Sequence, residues 1–346
     1  MPPGKRRYTQ KDIASRAALS VAAVSMALKN HPSLPEETIL RVKEIAKELE
    51  YRPDPVLSAL VAHRNRKRVP SNFSVIGLVS NWSQPEDWAQ WKGAQEIIEG
   101  ATNRAIELGY SLQHIRVKTN APESPQLTQI LNTRGIRGLI LAPFEHHLDT
   151  IDLEFDNFSI VTIEKPTLYP NFQYITQNHF SNVLLCWEKL RERNYTSVGL
   201  VVMTDLADRW HHQWEAAHNY ALSQINPSPK PIPILKLNSG SEIDSVRHWI
   251  REHKPQVVIS RCDQFFVAAK QENLRIPEDI GYVSLNISDD HPEASGINQN
   301  RKAIGSIAID ALNGLLLGNQ RGERTVATGT LVEGTWHEGD TLPSRG

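Results

Sequence analysis

The segment Tyr8-Thr-Gln-Lys-Asp-Ile-Ala-Ser-Arg-Ala-Ala-Leu-Ser-Val-Ala-Ala-Val-Ser-Met-Ala-Leu-Lys29 predicts two short helices joined by a tight turn. Thr9 and the acid three residues later, Asp12, form a variant of the capping box that begins a helix. Ser20 is a suitable N-cap for the second helix, which we predict over Val21–Lys29. Apolar side chains recur at helical spacing in both helices, so each has one face to bury. These side chains are Ile13, Ala14 and Ala17 in the first helix and Val24, Ala27 and Leu28 in the second.

A third helix is predicted from Glu36 to about Leu49, with an apolar stripe on one side. Two acids in its first turn, after Pro35, suit the positive end of the helix dipole. Three short helices of this kind can form a helix-turn-helix bundle, whose second helix lies in the major groove of DNA. The side chains that it would show to base edges are mostly apolar and suit thymine methyl groups: Val21, Ala22, Ala23 and Ser25. A small bundle that binds no DNA is the alternative that these residues leave open.

Charge is distributed unevenly along the chain. Residues 1–68 contain 14 lysines and arginines against 7 acids, a net charge of +7, whereas the remaining residues contain 24 against 32, a net charge of −8. A basic head on an acidic body suggests that the head contacts a polyanion, although a solvated basic face would look the same. The basic residues include Lys5, Arg6, Arg7, Lys29, Arg52 and the run Arg64–Arg68.

The overall composition is that of a globular protein of two or three units. The chain has 346 residues, of which 40% are hydrophobic and 22% charged. No apolar run reaches the length of a membrane helix, and no apolar segment follows the basic N-terminus as in a secretory signal. With only two cysteines, Cys186 and Cys262, no disulfide framework is expected, and a cytoplasmic location is predicted.

A linker follows the headpiece. Pro53 in Tyr51-Arg-Pro53 ends the third helix, because its ring disfavours the α conformation of the residue before it. Asp54 and Pro55 then open a further short helix, as N-cap and first helical residue.

At this point the sequence resembles the headpiece of the lactose-repressor (LacI) family of transcription regulators. The resemblance is carried by Tyr8-Thr-Gln-Lys-Asp-Ile-Ala14, Leu19-Ser20, Ala23-Val-Ser25 and the closing Tyr51-Arg-Pro53. It implies a repressor that binds operator DNA as a homodimer, with a hinge helix that inserts Leu60 as a wedge into the minor groove. The chain departs from many members at Ala23 and at Ser58. The predicted DNA contacts are Thr9, Ser20, Val21, Ala22, Ala23, Ser25, Lys29, Asn30, His31, Tyr51 and Leu60.

Strands alternate with helices over residues 74–338, which predicts an α/β body of doubly wound parallel sheets. The predicted helices include Ala94–Leu108, Trp210–Gln224 and Ala303–Leu317. The resemblance extends over nearly the whole chain and implies a periplasmic-binding-protein-like body. The implied domains are a headpiece at 1–52, a hinge helix and linker at 53–70 and a body at 71–338. Within the body it implies an N-subdomain of about 74–177 plus 302–326 and a C-subdomain of about 178–301 plus 327–338.

The family resemblance places a small-molecule effector between the two subdomains, near the carboxyl ends of the strands. The residues that it assigns to this site are Asn81, Trp82, Trp88, Arg209, Trp214, Asp263 and Asn286. Arginine and aspartate suit vicinal hydroxyl groups and an indole suits the apolar side of a sugar ring, so a sugar is the expected effector. The alternative role for each tryptophan is packing in the core. The alternative role for Arg209 and Asp263 is a structural interaction with other residues of the protein. Asn286 stands where many members have an aspartate.

Other classes of protein fit the sequence less well. It contains no glycine-rich phosphate loop, no G-x-S-x-G elbow and no H-E-x-x-H motif, so we expect neither an enzyme nor a cofactor. The pairs His146-His147 and His211-His212 are adjacent in sequence and point apart, so no metal site is predicted. A regulator that responds to a partner protein instead of a metabolite remains the alternative.

Overall fold

The protein is described here by a computed structural model over residues 8–28, 34–49, 51, 74–82, 88–117, 124–165, 170–225, 231–238, 242–287 and 291–344. Three helices form the N-terminal bundle: α1 (Gln10–Ala17), α2 (Val21–Leu28) and α3 (Glu36–Glu48). Both predicted caps are confirmed. The backbone N–H of Thr9 donates to Asp12 Oδ2 at 2.7 Å, and the N–H of Ala23 donates to Ser20 Oγ at 3.1 Å. The buried core of the bundle consists of apolar residues that helical spacing predicted: Ile13, Ala14, Ala17, Val24, Ala27, Val42 and Ala46.

The first sheet of the body has six strands, all parallel to their neighbours. They are β1 (Ser74–Ser80), β2 (Tyr110–Arg116), β3 (Gly138–Leu141), β4 (Ser159–Ile163), β5 (Gln173–Gln177) and β11 (Thr328–Val332). Their order is β11-β5-β4-β3-β1-β2. The central strands β3 and β4 are buried along their whole length, as strands covered on both faces must be.

The second sheet also has six strands. They are β6 (Val198–Met203), β7 (Leu235–Leu237), β8 (Val257–Ser260), β9 (Gly281–Ser284), β10 (Ser295–Asn298) and β12 (Thr335–His337). The order is β12-β10-β9-β8-β6-β7, and only the pair β10–β12 is antiparallel. The predicted α/β fold of two parallel sheets behind a helical headpiece is therefore confirmed.

The helices of the body flank these sheets. They are α4 (Lys92–Leu108), α5 (Ser124–Thr133), α6 (His179–Glu192), α7 (Thr204–Arg209), α8 (Gln213–Ser223), α9 (Ile243–His253), α10 (Gln264–Gln271) and α11 (Arg301–Leu317). Among the residues described, none of the helices is long and apolar enough to cross a membrane.

Two sequence predictions are corrected by the fold. The single helix predicted over Trp210–Gln224 begins only at Gln213, because His211 and His212 take left-handed φ angles of 52° and 55°. Residues 328–332, which the domain prediction assigned to the C-subdomain, form β11 and pair with β5 of the first sheet. The reason is that β11 completes the edge of that sheet before the chain returns to β12. The other domain boundaries stay predictions.

Helices α4 and α11 cross with their backbones almost in contact. A Cβ atom at Gly305 would lie 2.0 Å from the carbonyl oxygen of Ile97, and one at Gly100 would lie 2.0 Å from the carbonyl oxygen of Lys302. Only glycine, which lacks Cβ, permits this approach. The crossing fixes the position of Arg301, the first residue of α11, next to the start of α4.

Candidate functional site

The amino-terminal end of α2 lies on the surface of the headpiece. Val24 and Ala27 anchor this helix in the bundle core, and the Ser20 cap fixes its first turn. The bundle leaves four of the predicted base-contacting positions wholly or partly accessible: Val21, Ala22, Ala23 and Ser25. Thr9 is exposed, and its hydroxyl donates to Asp12 Oδ2 at 2.7 Å at the start of α1. This arrangement fits a recognition helix that presents its first turn to DNA.

Tyr51 closes the headpiece. Its partly buried side chain packs against the bundle core, and its backbone N–H donates to the carbonyl oxygen of Ala46 at 2.9 Å. The remaining predicted DNA contacts, Lys29, Asn30, His31 and Leu60, lie outside the described residues, as does the hinge at 53–70.

A pocket opens at the carboxyl ends of β3 and β4, where α7 reaches the first sheet. It has a volume of about 390 Å³ including its mouth. Its polar lining consists of His146, His147, Asp149, Thr162, Glu164, Lys165 and Arg209. Arg209, the last residue of α7, is only 10% exposed, and its Nη2 donates to the carbonyl oxygen of Glu145 at 2.9 Å. One arginine thus joins α7, which follows β6 of the second sheet, to the loop after β3 of the first.

Aromatic rings form a stack near this pocket. The ring of His179, the first residue of α6, lies 4.4 Å from Trp210, and Trp210 lies 4.5 Å from Trp214. The guanidinium carbon of Arg261, the residue directly after β8, is 5.9 Å from the centre of the Trp210 ring. Glu164, directly after β4, is close enough for Arg209, Trp210 and Arg261 to act on its carboxylate. Residues that follow strands of both sheets therefore meet around Trp210.

Several buried polar atoms of this region have no hydrogen-bond partner in the part of the chain that the structure describes. They are Glu164 Oε2, both ring nitrogens of His179, Trp210 Nε1 and Trp214 Nε1. Each such atom costs about 1–3 kcal/mol when it is buried alone. Folded proteins satisfy nearly all buried polar groups, so a group of unsatisfied donors and acceptors in one interior region indicates a place for a polar ligand.

Burial governs the ionisation of these groups. It raises the pKa of the Glu164 carboxyl, and the nearby Arg209, Trp210 and Arg261 act in the opposite direction. Burial, with a contribution from the Arg261 charge, lowers the pKa of His179 to about 3, so this imidazole is neutral at pH 7. Burial and the neighbouring charge of Arg301 lower the pKa of Arg261.

Two predicted effector residues hold the rim of the first sheet together. Asn81 is buried after β1, where its amide nitrogen donates to Asp149 Oδ2 at 2.7 Å and its oxygen accepts from the N–H of Glu145 at 2.9 Å. The indole N–H of Trp82 donates to the carbonyl oxygen of Pro143 at 2.7 Å. Both residues therefore shape the loop that lines the pocket.

The other predicted effector residues lie in different surroundings. Trp88 is buried in the core beside the first sheet and Trp214 in the core beside the second, which agrees with the alternative that these tryptophans pack in the core. Trp214 also contacts the aromatic stack through Trp210. Asp263 is 72% exposed at the start of α10, where its carboxylate lies 3.8 Å from His291 Nε2. Asn286 follows β9, and its backbone N–H donates to Ser284 Oγ at 3.1 Å. Assignment of these residues to an effector stays a prediction.

Four residues of the region were not predicted from the sequence: Glu164, His179, Arg261 and Arg301. Glu164 and Arg261 directly follow the buried strands β4 and β8, and position after a strand is a signal by which they could have been found. His179 and Arg301 begin helices, and no motif marks either of them.

Comparison with known proteins agrees with this architecture. Residues 9–54 match the family described as bacterial regulatory proteins, lacI family, and residues 187–342 match the periplasmic binding protein-like domain. The transcriptional regulator RegA of Clostridium saccharobutylicum is 23% identical over 88% of this chain and 92% of its own length.

Two solved structures have a similar fold. One is the lac repressor dimer bound to operator and the anti-inducer ONPF, with a TM-score of 0.58 and 18% identity over 98% of this chain and all of that chain. The other is a complex of the transcriptional regulator CelR with cellobiose, with a TM-score of 0.61 and 16% identity over 97% of this chain and all of that chain.

A helix-turn-helix headpiece joined to a periplasmic-binding-like body of two parallel sheets defines a class of DNA-binding transcription regulators. The chain belongs to the LacI family of bacterial regulatory proteins. That family consists of transcription regulators rather than enzymes.

Proposed function

We propose that this protein is a repressor that binds operator DNA as a homodimer and is controlled by a sugar or sugar derivative bound between its two subdomains. The observation that carries the proposal is the group of unsatisfied polar atoms around Trp210, at the ends of strands from both sheets. A ligand there contacts both subdomains at once, and can therefore shift their relative position.

The DNA-binding part of the proposal rests on the headpiece. Its second helix is capped at Ser20, anchored at Val24 and accessible at Val21 and Ala22, as a recognition helix requires. The lac repressor, whose fold this chain shares, is a dimer bound to operator in its solved structure. Two identical headpieces on a two-fold axis should read a near-palindromic operator, because the symmetry of the DNA site mirrors that of the protein.

The effector part rests on the chemistry of the pocket. A sugar hydroxyl is both donor and acceptor, so it can donate to Glu164 Oε2 and accept from the Trp210 indole beside the pocket. Arg209 adds a charge-assisted donor, and indole faces suit the apolar side of a sugar ring. The similar regulator CelR was solved with a sugar, cellobiose.

The test measures operator binding and ligand binding on the same full-length protein. Operators selected from random DNA are tested by gel shift, and a panel of sugars is titrated by calorimetry with tryptophan fluorescence as a second readout. A sugar that binds and changes operator affinity supports the proposal. If no sugar does so and a protein from the same cell changes operator affinity instead, the partner-protein alternative replaces it.

Two variants locate the site. Arg209→Ala should weaken the response to the sugar and leave operator affinity without sugar nearly unchanged. Arg247→Ala is the matched control, because Arg247 pairs with Glu272 at 2.6 Å and does not line the pocket. An Arg209→Ala protein that responds like the parent would show that the effector binds elsewhere. Asp263→Ala, at the exposed start of α10, should have the smaller effect of the two proposed contacts.

A further inference from the structure

An exposed indole lies next to the wall of the pocket on the first sheet. We propose that the effector is an oligosaccharide with at least two sugar rings, of which one enters the pocket and the next stacks on the indole of Trp91. This inference rests on the proposed sugar effector and specifies its length.

Trp91 differs from the other tryptophans of this chain in its contact with water. All eight tryptophans lie within the described ranges, and Trp91 is the most exposed of them, at 44%. Tryptophan carries a large apolar surface, most of which proteins usually bury. An indole that stays in contact with water has apolar surface available to a ligand.

The position of Trp91 is fixed by its neighbours. It directly precedes α4, its backbone N–H donates to the carbonyl oxygen of Trp88 at 3.0 Å, and its carbonyl oxygen accepts from the N–H of Gln95 at 2.9 Å. Its ring meets that of Trp82 edge to face, with 4.5 Å between the ring centres. Because the backbone and the ring are both held, a ligand that stacks on this indole has little ordering to bring about.

Trp82 connects Trp91 to the pocket. The indole N–H of Trp82 donates to the carbonyl oxygen of Pro143 at 2.7 Å, and Pro143 belongs to the lining of the pocket. A single side chain therefore separates the exposed indole from the pocket wall. A ligand confined to the pocket leaves Trp91 uncovered, whereas a ligand that continues past this wall covers it with the next ring.

The surroundings of Trp91 suit a sugar ring better than a purely apolar group. An indole face covers the C–H side of a sugar ring, while the hydroxyl groups of that ring point to the rim. Two exposed amide side chains lie beside Trp91 in the chain, Gln90 and Gln95, and Gln95 Nε2 donates to the carbonyl oxygen of Gln90 at 3.1 Å. Side-chain amides both donate to and accept from hydroxyl groups, so the rim matches the polar edge of a sugar.

The test compares single sugars with disaccharides by calorimetry on the full-length protein. Glucose is compared with cellobiose, maltose and trehalose, and galactose with lactose and melibiose. We expect one disaccharide to bind at least about tenfold more tightly than its constituent single sugar, which corresponds to about 1.4 kcal/mol. That disaccharide should also change the difference in fluorescence between the parent protein and Trp91→Phe, because this difference reports the exposed indole.

Trp91→Ala should bring the ratio of disaccharide to single-sugar affinity close to 1. Trp91→Phe keeps an aromatic face and should retain part of the gain. Tyr220→Ala is the matched control, because Tyr220 is also an exposed aromatic residue, at 50%, but lies on α8 and does not line the pocket. Its loss should leave the ratio unchanged.

The outcomes separate this inference from the proposed function. Single sugars that bind as tightly as every disaccharide, or a disaccharide gain that survives in Trp91→Ala, overturn the stacking site and leave a sugar effector in place. A change in the sedimentation of ligand-free Trp91→Ala would mean that a second copy of the chain covers the ring, which also overturns the stacking site. Failure of every sugar to bind overturns the sugar effector and the stacking site together.

Discussion

The crossing of α4 and α11 allows the packing of the first unit to be tested by a single methyl group. Gly305→Ala would place that methyl 2.0 Å from the carbonyl oxygen of Ile97 and 2.7 Å from the backbone nitrogen of Ala101. Both are backbone atoms, so no side chain can rotate away from the clash. An ordinary contact needs about 3.5 Å, so the helices must move apart by more than about 1 Å.

The expected loss of stability follows from this displacement. Overpacking of a core typically costs about 1–3 kcal/mol, and an alanine in a helix gains back at most about 1 kcal/mol over glycine. We therefore expect a net loss in the free energy of unfolding of about 1–2 kcal/mol.

The assay is urea unfolding of the full chain, followed by circular dichroism and tryptophan fluorescence. Gly314→Ala on the same helix is the control, because a Cβ there would meet no atom within 4 Å. That substitution should stabilise the protein by about 0.5–1 kcal/mol, since it only removes backbone freedom from the unfolded chain. If Gly305→Ala proves as stable as Gly314→Ala, the two helices do not cross as described.

Three further predictions concern the headpiece, the buried histidines and the hinge. Ser20→Ala removes the oxygen that accepts from the Ala23 N–H, so it should destabilise the headpiece by about 1 kcal/mol and weaken operator binding. An unchanged melting midpoint of the headpiece would contradict this prediction. Burial lowers the pKa of His179 to about 3 and of His218 to about 4, below the unfolded value of 6.5, so each contributes stability that is present above about pH 6.5 and is lost as the pH falls toward the folded pKa. Between pH 7 and pH 5, each histidine should lower the free energy of unfolding by about 2 kcal/mol. In urea unfolding at these two pH values, His179→Phe should lose less stability than the parent protein. An unchanged pH dependence would mean that His179 is not buried in its neutral form. Leu60→Ala should reduce specific operator affinity and DNA bending but leave nonspecific binding unchanged, because nonspecific binding depends on phosphate contacts. Gel shifts on operators that differ only at the central base step measure both effects. If the variant binds and bends all of these operators like the parent protein, Leu60 is a linker residue.

Much of the fold follows from local patterns in the sequence. The N-caps at Thr9 and Ser20 and the apolar spacing of the three helices predicted the headpiece, because helix caps and helix faces depend on residues within four positions of each other. The alternation of strands and helices over residues 74–338 was predicted for the same reason. Short or polar strands such as β5, Gln173–Gln177, were missed because their residues do not stand out from those of a loop.

Other features required the tertiary structure. The pairing of β11 with β5 joins segments about 150 residues apart in the sequence. The residues near β11 do not indicate which of the two sheets this strand joins. The break between α7 and α8 depends on the left-handed conformations of His211 and His212, which neither residue type requires by itself.

The sequence by itself determined the class of protein, since its caps, its alternation of strands and helices and its family resemblance all lie along the chain. It also placed candidate ligand residues at strand ends, because parallel α/β sheets present those ends at one edge. Only the tertiary structure decided which of them meet. Glu164, His179, Arg261 and Arg301 come from four separate segments. Their burial and the unsatisfied atoms of Glu164 and His179 arise only once the two sheets are packed. Desolvation and charge proximity are properties of the folded chain, so the chemistry of the site is determined at that level.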